Sequence, residues 1–223
     1  MDKGPETKKR LRDPINGLTH LAGGLLASVG LVVLLATAAS AGRVDQLVAF
    51  GIFGLSLIAL YTASTLYHLL SLSPSGIARL RRVDHMTIFL LIAGTYTPFC
   101  LLALDGAWRV GLLCLVWGLA LCGILLKFLW MEAPRWLSVA LYLGMGWVAL
   151  VAAPALFRAV PIGGMAWVLA GALFYSVGAL VYGLKRPNLV PGVFGFHELW
   201  HLFVVAGRAC HFWAVLGYIT PLA

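Results

Sequence analysis

Five residues from three distant stretches are of the types that hold a metal ion and work on a water beside it. They are Ser64 and His68, Asp84, and His197 with His201. On a helix, positions i and i+4 lie one turn apart on nearly the same face, so the imidazoles of His197 and His201 point the same way. So do the Ser64 hydroxyl and the His68 ring. Two neutral imidazoles one turn apart suit a metal, most often Zn²⁺. Three histidines and a water form the ligand set of an open, catalytic type of zinc site. Taken singly, each residue also has a structural reading. His68, His197 and His201 can anchor helix ends at a membrane interface. Asp84 can cap the start of a helix, and Ser64 can bond back to its own helix.

The elements that position these residues follow from composition. The chain has 223 residues, of which 61% are hydrophobic and 11% charged. That is too little charge to cover a soluble domain of this size. Apolar blocks near 15–40, 46–70, 83–104, 108–128, 135–156, 163–184 and 197–221 are each long enough to cross a bilayer. The expected fold is all-α: a polar tail over residues 1–14, then a seven-transmembrane helix bundle over 15–223. The first block, with its basic start and the small residues Ala39-Ser40-Ala41, resembles a cleaved leader, but its length favours a span. Pro98 and Pro154 fall inside spans and should kink them. Gly23 and Gly24, Gly144 and Gly146, and Gly171 with Gly178 have the spacing of close helix contacts.

Basic residues set the orientation. Twelve Lys and Arg fall on one side: Lys3, Lys8, Lys9, Arg10 and Arg12 of the tail, then Arg79, Arg81, Arg82, Lys127, Arg135, Lys185 and Arg186. Three, Arg43, Arg109 and Arg158, fall on the other, and Arg208 lies inside the last span. The N-terminus is therefore expected in the cytoplasm and the C-terminus outside. The net charge of +8 serves this topology, and no nucleic-acid partner is implied. The four cysteines, Cys100, Cys114, Cys122 and Cys210, lie in apolar blocks, form no C-x-x-C pair and read as packing residues.

Folded through the membrane in this way, the second span ends, and the third and seventh begin, on the cytoplasmic side. Ser64, His68, Asp84, His197 and His201 then share one depth, near the inner leaflet. Ionisable residues inside spans are costly and usually functional, so together the five favour a metal site. His85 is turned about 100° from Asp84 and reads as supporting or structural. His20 and His211 read as packing histidines. Arg208 follows His201 by seven residues, on nearly the same face and about 10 Å deeper. It could floor a polar cavity for a lipid head group or carboxylate, or bond to backbone carbonyls of a kinked helix.

Ser64-Thr-Leu-Tyr-His68, Asp84-His85, Gly94-Thr-Tyr-Thr-Pro98 and Phe196-His-Glu-Leu-Trp-His201 resemble the signature of bacterial haemolysin III proteins. These are grouped with the progestin and adiponectin receptor type, and more distantly with alkaline ceramidases. The resemblance covers essentially the whole span region. It implies a seven-helix bundle in the bacterial cytoplasmic membrane, with Zn²⁺ held by His68, His197 and His201 and a water near Asp84 and Ser64. It also implies a link to lipid amide hydrolysis, receptor signalling or membrane-lipid homeostasis, with membrane lipids or a fatty acid as partners. Arg208 stands where a small residue would suit a packed helix better.

Two function classes remain open at this point. One is a hydrolase of lipid amide or ester bonds, with Asp84 and Ser64 catalytic. The other is a lipid sensor or receptor-like protein in which zinc is structural. Pore formation has no lytic segment to support it. A zinc protease is suggested by His197-Glu198-x-x-His201 together with Leu104-Asp105-Gly106. It is opposed by topology, since Asp105 lies 21 residues beyond Asp84 and about 32 Å away along a helix.

Overall fold

The computed structural model describes residues 11–222. Lys3, Lys8, Lys9 and Arg10 of the expected tail lie outside the described residues. The described residues are helical and form no strand ladder. The helices are α1 (Pro14–Ser40), α2 (Val44–Leu69), α3 (Pro74–Pro98), α4 (Gly106–Leu129), α5 (Arg135–Trp147), α6 (Ala153–Ala159), α7 (Ile162–Leu184) and α8 (Phe196–Ala214). A π-helical turn, Phe99–Ala103, continues α3, and a 3₁₀ turn, Val148–Ala152, joins α5 to α6. Seven of the resulting helical stretches are long and apolar enough to cross a membrane. Leu25, Leu26, Val29 and Val32 of α1 face outward, as a lipid-facing helix surface requires.

α1 packs along α2, α2 along α3 and α7 along α8, while α8 also meets α1. The bundle is solid at one end and hollow at the other. Leu34, Ala38, Ala49, Phe50, Phe53, Cys100, Val215 and Ile219 are fully buried at the end where α1, α3 and α8 finish and α2 begins. The opposite end holds a cavity of about 400 Å³ lined from α1, α2, α3, α5, α7 and α8.

Both prolines mark irregular backbone. α3 changes to a π turn immediately after Pro98. The fifth span breaks into a 3₁₀ turn before Pro154, which sits in the first turn of α6. The buried Tyr96 repairs that break. Its hydroxyl donates to the carbonyls of Gly146 (2.6 Å) and Met145 (3.1 Å) and accepts from the Ala149 amide (2.9 Å).

Three expectations need correction. The third helix starts at Pro74, not near residue 83, because Ser73 caps it by accepting from the Gly76 amide and Pro74 fits its first position. Its first turns are polar and so do not register as an apolar block. Asp84 is therefore not a helix cap. Secondly, a Cβ on Gly144 or Gly146 would meet nothing within 4 Å, so neither glycine makes a close helix contact. Gly23 against Tyr61, Gly171 against His211 and Gly178 against Phe203 do. Thirdly, Cys114 and Cys122 lie on the outer surface, and only Cys100 and Cys210 are buried packing residues.

Candidate metal centre

The last turn of α2 and the first turns of α8 bring three imidazoles together at the hollow end. One ring nitrogen each from His68, His197 and His201 lies within 4.8 Å of the others, a grouping that could hold a metal ion. Nε2 of His197 and Nε2 of His201 are 3.3 Å apart. Two nitrogens about 2.0–2.1 Å from one tetrahedral ion have nearly this separation. The ring centres of His68 lie 5.2 Å from His197 and 4.8 Å from His201. His68 and His201 are buried, and His197 is half-buried on the cavity side.

His68 is oriented by a residue that the sequence did not disclose. Its Nδ1 lies 3.2 Å from Oδ2 of Asp13. A proton on Nδ1 donates to that carboxylate and leaves the Nε2 lone pair for an ion, the usual support of a metal-bound imidazole. Asp13 stands at the N-cap position before Pro14, yet it makes no side-chain capping bond to α1. Its amide instead donates to the His68 carbonyl (2.9 Å), pinning the start of α1 to the end of α2. Arg12 Nε holds the same carboxylate oxygen at 3.1 Å, and the guanidinium lies over the Tyr67 ring at 4.2 Å.

His20, read from the sequence as a packing histidine, packs beside the cluster. It is buried, and its ring stacks on His201 with centres 3.9 Å apart. It lines the cavity, and neither of its ring nitrogens has a hydrogen-bond partner in the protein. A lone histidine in an apolar span offered no signal for this; only the packing of α1 against α8 supplies it.

Ser64 and Asp84 line the same cavity as His197 and His201, while His68 is buried behind them. The Ser64 hydroxyl lies beside the Asp84 carboxyl. Ser64 is fully buried one turn before His68, and Asp84 is half-buried, exposed toward the cavity. His85 also lines this cavity beside Tyr142, whose hydroxyl donates to the His85 carbonyl at 3.3 Å and lies 3.5 Å from its Nδ1. His211 lines the deeper part of the cavity, with Nε2 3.0 Å from the Val168 carbonyl.

Glu198 has no free carboxylate oxygen. Oε2 accepts from the Gly195 amide and Oε1 from Asn16 Nδ2, each at 2.8 Å, which caps α8 and ties it to α1. Asp105 lies past the far end of α3, almost fully exposed and paired with Arg109. The two residues that a protease reading needs are thus committed elsewhere.

Residues 8–212 match the family described as Haemolysin-III related. The chain belongs to the haemolysin III family. It is 38% identical to Hemolysin-3 of Bacillus cereus over 209 residues, covering 93% of this chain and 92% of that one. It is 39% identical to the Hemolysin-3 homolog of Bacillus subtilis over 207 residues, covering 93% and 94%. A more distant relative is the human monocyte to macrophage differentiation factor, 28% identical over 175 residues, or 75% of this chain and 69% of that protein. Family and helices together make it a multi-pass membrane protein.

Proposed function

We propose that this haemolysin III family protein is a zinc-dependent hydrolase of lipid amide or ester bonds. It works in the bacterial cytoplasmic membrane and serves membrane-lipid homeostasis. The observation that carries the reading is the placement of Asp84 and Ser64 on the wall of the cavity onto which His197 and His201 of the histidine cluster also open. A purely structural metal site has no use for an acid open to a cavity beside it.

His68, His197 and His201 would hold the ion, with Asp13 fixing the His68 ring. Zn²⁺ held there would supply a Lewis acid for a carbonyl oxygen and make a neighbouring water more acidic. Asp84 accepts a proton as that water attacks the carbonyl carbon. It then returns the proton to the departing amine or alcohol as the C–N or C–O bond breaks. Ser64 donates a hydrogen bond to the developing oxyanion. Leu91, Ile92, Val139 and Leu143 line an apolar wall against which an acyl chain can lie. The basic residues gathered at the histidine end support placing that end, and the N-terminus, in the cytoplasm.

The test is turnover of a fluorescent N-acyl amide lipid by purified protein, with Asp84→Asn beside wild type and metal content measured in both. Asp84→Asn should keep its ion and lose roughly 10²–10⁴-fold in rate. Undiminished turnover would remove Asp84 from the chemistry. No turnover by metal-loaded wild type across amide and ester probes would favour a receptor-like protein with structural zinc.

A further inference from the structure

The cavity has two polar ends. The histidine cluster with Asp84 and Ser64 forms one. Seven residues along α8, about 10 Å by helical rise, Arg208 forms the other. Arg208 is only 4% exposed. One Nη donates to Thr95 Oγ1, and Thr95 in turn donates to the Leu91 carbonyl at 2.7 Å. The guanidinium carbon lies 5.1 Å from the centre of the Tyr175 ring. Nε has no partner in the protein. Among the described residues no carboxylate lies within ion-pairing distance of it.

Two neighbouring polar atoms are in the same position. Tyr175 Oη and His211 Nδ1 are buried without partners, their rings 5.4 Å apart, and both residues line the cavity. A guanidinium stays charged throughout the physiological range. Buried without a counter-charge in an apolar bundle it is destabilising, and one threonine and one ring face do not neutralise it. Its open Nε edge and the phenol together form a donor set for an oxyanion, while His211, whose Nε2 proton goes to the Val168 carbonyl, leaves Nδ1 as an acceptor outside that set.

We propose that Arg208 anchors a carboxylate-binding subsite at the membrane-centre end of the cavity. Its ligand is an amphiphile whose carboxylate pairs with Arg208 and whose apolar body runs along Ile92, Leu143 and Val204 toward the histidines. A carboxylate matches the single guanidinium in charge and in its two-pronged geometry. A phosphate dianion would leave a negative charge buried and uncompensated. The subsite stands whether or not the histidine cluster turns over a substrate.

The experiment is calorimetric titration of octanoate and of its neutral isostere octanamide. It uses full-length protein in neutral maltoside detergent, stripped of metal so that no ion competes for the carboxylate. Wild type should bind octanoate at least tenfold more tightly than octanamide. Arg208→Lys, which keeps the charge and loses the fork, should retain part of that preference. Arg208→Gln should bind the two equally. Equal affinities in wild type would overturn the proposal without recourse to any variant. So would a preference that survives in a monodisperse Arg208→Gln or Arg208→Ser protein.

Discussion

Asp13 is the residue through which the histidine cluster depends on the chain ahead of the first span. Its carboxylate sets the tautomer of His68, and its amide fixes the end of α2. Outer partners of this kind commonly contribute 10–100-fold in metal affinity. Asp13→Asn is therefore expected to keep the ion but weaken its binding by roughly that factor in a chelator competition, with little change in fold. Unchanged affinity would mean that Asp13 serves only the helix start. His68, His197 and His201 were legible because i, i+4 spacing survives folding and topology sets the depth. Asp13 was not, because its partner lies 55 positions away and the adjacent Pro14 supplies a simpler explanation. His20 was legible as a packing histidine, but its partner, the His201 ring on α8, was not.

At the scale of elements, the cavity wall depends on the break in the fifth span. The free backbone groups of that break are met by Tyr96 from α3, which locks the wall of one span to another. Tyr96→Phe removes the hydroxyl and leaves a carbonyl and an amide to find other partners. The expected cost is about 1–2 kcal/mol, read as a fall of roughly 2–8 °C in Tm with metal content intact. An unchanged Tm would show that Pro154 and the 3₁₀ turn set the break unaided. The prolines disclosed both irregularities in advance. The true start of α3 was harder to see, since its first turns carry Arg79, Arg81 and Arg82 and hydropathy does not register a polar helix. Ser73-Pro74 is the signal that would have found it. Gly144 and Gly146 mislead in the opposite sense, since small residues permit helix contact without compelling it.

At the scale of the whole molecule, the bundle packs its apolar residues densely at one end and gathers His20, Asp84, His197, His201 and Arg208 around a cavity at the other. Seven spans and their order were readable from block lengths alone. A cavity floored by Arg208 was among the expectations, but its extent was not readable, because hollowness is a property of how six helices meet. The arrangement makes sense if α2 and α8, distant in sequence, are joined through one ion. The most direct measurement is elemental analysis by mass spectrometry of detergent-purified protein, wild type beside His68→Ala and His201→Ala, prepared without chelators. About one zinc per chain in wild type, lost in both variants, is the predicted result. Metal-free wild type, or an ion that survives either substitution, would contradict a centre shared between α2 and α8.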